Sequence, residues 1–179
     1  MKIYSKIGDD GFTRSAGGQR MRKSAPRCEV LGSLDELSAQ LGMCRQAARQ
    51  NQPSEMGDAL DHAQDALYAI GCMMAGAQAE TSLPDSTVAQ MEQRIDTISE
   101  SLPALTNFVR SGGCELACRL HVARTVARRA ERIVVAGIDS GLAVPDGVLR
   151  YLNRLGDLLF ILARLADHTA GAGDERITS

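Results

Sequence analysis

Apolar residues recur along most of this chain at spacings of three and four, the period of a helix with one buried face. Leu31, Leu34, Leu37 and Leu41 set that stripe in a first helix from about Cys28 to Ala48, broken by Asn51, Gln52 and Pro53. Met56, Leu60, Ala63, Leu67, Ile70 and Met74 mark a second over roughly 54–79. After Pro84, either Asp85 or Ser86 is placed to cap a third, which carries Val88, Met91, Ile95 and Ile98 and stops before Pro103. Gly112 and Gly113 precede a fourth helix, striped by Leu116, Leu120, Ala123, Ala127, Ala130 and Val134 and ended by Gly137, Gly141 and Pro145. A fifth spans about 146–169 with Leu149, Leu152, Leu155, Leu159, Leu162 and Ala166. No strand-like alternation competes over a comparable length. Amphipathic helices with short connections predict an all-α, up-and-down bundle of five helices with a four-helix core.

Residues 1–26 break the pattern. Gly8, Gly11, Gly17, Gly18 and Pro26 make them poor helix material, and an extended glycine-rich arm with little regular structure is expected. Ile3, Tyr4, Ile7 and Phe12 are anchors that a plain linker does not need, which favours a functional arm over disorder. The 179 residues are expected to form a single domain, with the arm over 1–26, the bundle over 27–169 and a flexible tail over 170–179.

Net charge is −2, so no global field draws nucleic acid or an anionic membrane, and any anion site is local. With no Trp, three Phe and three Tyr, a stacking platform for bases is not expected. The five cysteines (Cys28, Cys44, Cys72, Cys114 and Cys118) are odd in number and lack a CxxC pair. Buried free thiols in a reducing compartment are a better reading than zinc or a disulfide. There is neither an N-terminal apolar run of signal length nor a stretch of membrane-spanning length, so the cytoplasm is expected.

Charge then changes the picture. The segment RLHVARTVARRAER, residues 119–132, has a core-like stripe yet carries five arginines and one glutamate. Arg124, Arg128 and Arg132 share one i,i+4 row, flanked by Arg119 and Arg129. Exposed like charges at that spacing repel by a few tenths of a kcal/mol per pair. Either surface carboxylates offset this, with Glu131 and Asp35 as candidates, or the row is a phosphate clamp, since guanidinium forks match phosphate oxygens. His121 reads as a satisfied packing histidine rather than a base. On the fifth helix Asn153 and Asp157 share a face; Asn153 offers both donor and acceptor, and Asp157 has Arg154 or Arg164 as partners. The arm matches neither the Walker A pattern nor the dinucleotide fingerprint. Its glycines still let backbone amides turn toward an anion, and Lys6, Arg14, Arg20, Arg22, Lys23 and Arg27 supply charge. Asp9 and Asp10 either help hold Mg²⁺ on phosphates or cap turns.

Together, YSKIGDDGFT, GGQRMRKSAPRCEVLGSLDEL, FVRSGGCELACRLHVARTVARRAER and YLNRLGDLLFILAR closely resemble the PduO-type ATP:cob(I)alamin adenosyltransferases, over about residues 1–168. The resemblance implies a homotrimer with intersubunit sites that transfers the 5′-deoxyadenosyl group of ATP to the cobalt of reduced cobalamin, releasing tripolyphosphate. It implies ATP with Mg²⁺ and cobalamin as ligands, and a flavin-dependent reductase as electron source. By motif position, Ser5, Lys6, Gly8, Asp10, Gly11, Thr13, Gly18, Arg20 and Lys23 would form or support the ATP arm. Arg128, Glu131 and Asn153 would complete the nucleotide site. Arg124 would pair with Asp35 across the interface. Phe108 would sit over the lower face of the corrin and help exclude the dimethylbenzimidazole ligand. No protein metal ligands are implied.

The chain departs from the family's pattern at Ile7, in place of a threonine, at Phe12 to Ala16, and at Arg110-Ser111, in place of Leu-Pro beside the presumed corrin pocket. The departures at Ile7 and Arg110-Ser111 motivate an alternative, a nonenzymatic ATP or cobalamin sensor on the same bundle.

Overall fold

The computed structural model describes residues 3–4, 6, 8–49, 54–77 and 82–174. Five helices carry the fold: α1 (Pro26–Ala48), α2 (Ser54–Ala75), α3 (Asp85–Ser101), α4 (Glu115–Asp139) and α5 (Val148–Thr169). Before them, β1 (Phe12–Arg14) and β2 (Arg20–Arg22) form an antiparallel hairpin with Thr13 opposite Met21. This replaces the irregular segment expected from the glycines. Ser15 accepts the Gln19 N–H on its Oγ at 3.1 Å, and Arg14 donates to the Gly18 carbonyl at 3.1 Å, closing the turn.

The helical stripes are buried for the most part as their periodicity predicts, with Leu31, Ile95 and Leu149 only half-buried. On α2, Met56, Leu60, Ala63, Leu67, Ile70 and Met74 are buried, and on α4 so are Leu116, Leu120, Ala123, Ala127, Ala130 and Val134. α5 is apolar around most of its circumference because it packs on α4 and α3 and also touches α2. Each leucine it buries fully, such as Leu152, Leu155, Leu159 or Leu162, contributes about 1.5–3 kcal/mol. α1 lies between α2 and α4.

Boundaries shift for local reasons. α1 begins at Pro26, ahead of Cys28, because proline suits the first turn, where its missing N–H has no intrahelical partner to lose. Pro84, not Asp85 or Ser86, occupies the N-cap of α3, with no side-chain cap. Asp85 lies in the first turn and takes Arg150 at 2.7 Å. α2 ends at Ala75, short of 79, and residues 78–81 lie outside the described set. Among the described residues no helix is long and apolar enough to cross a membrane.

Candidate functional site

The hairpin is held together by charge and aromatic contact. Asp10 accepts the Phe12 N–H at 3.1 Å and Arg20 Nη2 at 2.7 Å. The Arg20 guanidinium lies 3.6 Å from the centroid of the Phe12 ring, and that of Arg22 lies 4.9 Å from it. Arg20 holds the Asp10 carboxyl below its ordinary value, with the Phe12 N–H adding to the effect. Asp10 is thereby a turn-forming residue. Gly11 and Gly18 take positive φ at either end of the hairpin, and Thr13 sits in its first strand. Lys23 donates its N–H to the Gly11 carbonyl at 3.0 Å, and its ammonium lies over Gly8. Lys6 is exposed; Ser5 and Ile7 lie outside the described residues. The hairpin touches the bundle where the Ala16 N–H reaches the carbonyl of Ala75, at the end of α2.

On α4 the arginine row divides. Arg119 bonds Glu115 one turn earlier at 2.6 Å, and Arg129 bonds Glu36 of α1 at 2.5 Å. These are exposed pairs of the ordinary surface kind, worth about 0–1 kcal/mol. Arg132 donates to the Arg128 carbonyl. The Arg128 side chain is exposed and has no hydrogen-bond or ion-pair partner among the described residues. Its stem lies along α5 at Gly156, where an added Cβ would stand 3.7 Å from Arg128 Cγ. Glu131, read as an orienting partner for Arg128, instead accepts Asn153 Nδ2 at 2.9 Å. Asn153 Oδ1 takes Arg154 Nη1 at 3.2 Å, and Arg154 also reaches Glu92 at 2.7 Å and Asp157 at 3.4 Å. Glu92 and Asp157 raise the Arg154 pKa further. Arg128 therefore stands as a free cation beside a Glu131–Asn153–Arg154 chain whose orientation is already set.

Asp35 is exposed on α1, while the Nε of Arg124 is buried with no partner. Within one chain the two are not joined. A buried guanidinium nitrogen left unpaired is costly, and among the described residues nothing meets this one.

His121 is also buried, and its Nδ1 has no partner, so the satisfied packing role is only half met. Burial first, then the Arg124 charge, pushes its pKa below the ordinary 6.5, with Asp167 opposing. The fold thus prefers the neutral imidazole, and on acidification the unfolded chain takes the proton first. His121 contributes full stability above 6.5, lost as pH falls toward the lowered folded value. His121→Asn is expected to lose less Tm than wild type between about pH 7 and about pH 5.5; parallel losses would remove His121 from that dependence.

Phe108 lies on the segment between α3 and α4 and is 86 % exposed. The end of that segment is pinned where Asp167 of α5 accepts the Cys114 N–H at 2.7 Å. Gly113 passes directly over that carboxylate with φ 96°, and a Cβ there would overlap Asp167. Gly113→Ala is expected to cost about 2–3 kcal/mol through backbone strain and the overlap, read as a lower denaturation midpoint. An unchanged midpoint would show that the turn relaxes freely. The sequence marked Gly112 and Gly113 only as a helix boundary. It gave Asp167 no role, although a carboxylate beside the apolar positions Leu162 and Ala166 was the available signal.

Among the described residues no three His, Cys, Asp or Glu side chains converge as a metal cage. All five cysteines are free. Burial pushes the Cys44 thiol up to about 12 and raises Cys114 as well. A cavity of about 440 Å³ between α2, α3 and α5, lined by Met56, His62, Met91, Arg94 and Tyr151, lies away from both the arm and Arg128. Among the described residues, no hydrogen bond or ion pair joins residues 8–25 to α4 or α5. Among the described residues the two cationic elements, hairpin and α4, thus share no hydrogen bond or ion pair.

Comparison with known proteins bears on what those elements serve. A cobalamin adenosyltransferase family model matches residues 3–166. The corrinoid adenosyltransferase of Bacillus subtilis is 38 % identical over 178 residues, covering 97 % of this chain and 91 % of that protein. The corrinoid adenosyltransferase PduO of Citrobacter freundii is 39 % identical over 176 residues, and this chain spans about half of it, 51 %. A PduO-type ATP:corrinoid adenosyltransferase from Lactobacillus reuteri, a phenylalanine-to-alanine variant complexed with cobalamin and ATP, superposes with a TM-score of 0.92 at 31 % identity, covering 99 % of this chain and 100 % of that one. Sequence and backbone agree over nearly the whole length, and the chain belongs to the cobalamin adenosyltransferase family.

Proposed function

We propose that this protein transfers the 5′-deoxyadenosyl group of ATP to the cobalt of cob(I)alamin and releases tripolyphosphate. The observation that carries the reading is Arg128: on a helix whose flanking arginines are tied to carboxylates, it alone of Arg119, Arg128 and Arg129 is left for an external anion. Asn153 and Glu131 beside it supply donors and acceptors suited to the ribose or a phosphate oxygen.

The reduced cobalt is itself the nucleophile, so the protein needs no general base. Its tasks are to hold C5′ in line with the metal and to stabilise charge gathering on the departing triphosphate. Arg128 serves the second task from the bundle, with Lys6 and Lys23 from the arm. Gly8, Gly11 and Gly18 let arm amides approach phosphate, Ser5 and Thr13 offer hydroxyls, and Asp10 with Arg20 shapes the hairpin. Mg²⁺ fits as a companion of the phosphates, taking most of its ligands from them and from water, because the described residues offer no cage. Phe108 presents an apolar face to the corrin.

The lack of any hydrogen bond or ion pair between residues 8–25 and α4 among the described residues supports a homotrimer in which the arm of one subunit completes the site on the next. The unpaired Nε of Arg124 supports a pair with Asp35 of the partner subunit. In this reading α1, α2, α4 and α5 make a four-helix core with α3 outside, all in a single domain preceded by the nucleotide-binding arm of residues 1–26. Free thiols suit a reducing cytoplasm, where a flavin-dependent reductase would supply electrons.

Incubation with ATP, Mg²⁺ and reduced cobalamin tests the proposal. Many turnovers of a light-sensitive Co–C bond with matching tripolyphosphate are expected. Binding of ATP or cobalamin without turnover would instead make the protein a sensor.

A further inference from the structure

The last turns of α5 bury two charged side chains among its apolar ones. Arg164 is 6 % exposed and Asp167 is 5 % exposed. Arg164 grips the Asp174 carboxylate through Nε at 3.0 and 3.2 Å and through Nη2 at 2.7 Å, and Nη2 also donates to the Pro103 carbonyl at 2.7 Å. Asp167 accepts the Cys114 N–H at 2.7 Å. Pro103 and Cys114 bracket residues 104–113, every one of which is exposed or half-buried. Burying a charge is unfavourable unless it is paired and hydrogen-bonded: Asp174 pairs Arg164, and Arg164 and Asp167 each spend a further hydrogen bond on one end of that one segment.

We propose that Arg164 and Asp167 are positioning residues that clamp the ends of the 104–113 segment and so aim Phe108 at the corrin, with Asp174 locking Arg164 in place. The corrin half of this statement rests on the proposed adenosyl transfer. The clamp itself does not. Arg164 has a planar fork that bonds a carboxylate and a carbonyl at once, whereas a lysine ammonium would satisfy the carboxylate with a looser hold on Pro103. An asparagine at 174 keeps the shape of the partner and removes its charge.

Hydrogen exchange and steady-state kinetics on Arg164→Met, Arg164→Lys and Asp174→Asn test both halves. Exchange of the 104–113 amides is expected to rise about tenfold in Arg164→Met while amides in the middle of α4 keep their protection. The corrinoid KM is expected to rise about tenfold, with the ATP KM within about twofold of wild type. Arg164→Lys should restore part of both, and Asp174→Asn should shift both in the same direction by less. If Arg164→Met fails to fold, Asp174→Asn carries the decision. Unchanged exchange in 104–113 would overturn the clamp. Faster exchange with corrinoid and ATP KM rising alike would overturn the aiming of Phe108. A wild-type protein without turnover would remove the proposed function, and the corrin half with it, while exchange would still decide the clamp.

Discussion

Arg128→Ala is expected to lower kcat/KM for adenosyl transfer roughly 30- to 1000-fold, a loss of about 2–4 kcal/mol of transition-state stabilisation. The size follows from timing. Negative charge on the departing tripolyphosphate grows as the C5′–O bond breaks, so a guanidinium on a terminal oxygen binds the transition state more strongly than bound ATP. The fold should hardly notice the change, because Arg128 is exposed and has no protein partner to orphan among the described residues. An unchanged Tm together with a collapsed rate therefore separates chemistry from stability. Arg128→Lys keeps the charge but not the fork, and its rate is expected between the two. Near-wild-type turnover in Arg128→Ala would take Arg128 out of the reaction.

Phe108→Ala is expected to slow turnover that starts from cobalt(II) by about tenfold more than turnover from pre-reduced cobalt(I), equivalent to a drop of about 59 mV in the one-electron potential of the bound corrinoid. A six-carbon ring that is 86 % exposed in the free chain gains nothing from the fold and has 150–250 Å² of surface available for a partner. In the proposed site it would keep water and the dimethylbenzimidazole nitrogen off the cobalt, and the loss of that electron donation would make the metal easier to reduce. Alanine leaves room for the ligand to return. The cobalt(I) reaction already has its electron, so it is spared. Equal losses from both starting states would reject the role.

The repeating apolar positions made the helices legible, since a stripe such as Met56 to Met74 has one burial solution. The arginines of α4 raised the choice between surface ion pairs and a phosphate clamp, but not which of them has a carboxylate to pair with. Arg119 and Arg129 differ from Arg128 only in having a carboxylate within reach, and Glu36 comes from another helix. The hairpin was illegible because two three-residue strands leave no periodic trace, and Asp10 meets Arg20 ten positions away. Glu131 stands one turn from Arg128 on its own helix, yet the hydrogen bond it makes is with Asn153 of α5. Of the two candidate partners of Asp157, Arg154 is the one it takes, while Arg164 turns to Asp174 and the Pro103 carbonyl. Long-range choices of this kind depend on how helices stack, which spacing along one helix does not encode.

Everything rests on the cation of Arg128 serving a polyphosphate held by an arm from a neighbouring copy of the chain. A crystal structure of the assembled protein with ATP tests this most directly. The account predicts Arg128 within hydrogen-bond distance of a phosphate oxygen, Lys6 or Lys23 of the partner subunit on the same polyphosphate, and Arg124 Nε on Asp35 of the partner subunit. Arg128 engaged only by carboxylates or water, with the nucleotide bound elsewhere, would contradict it.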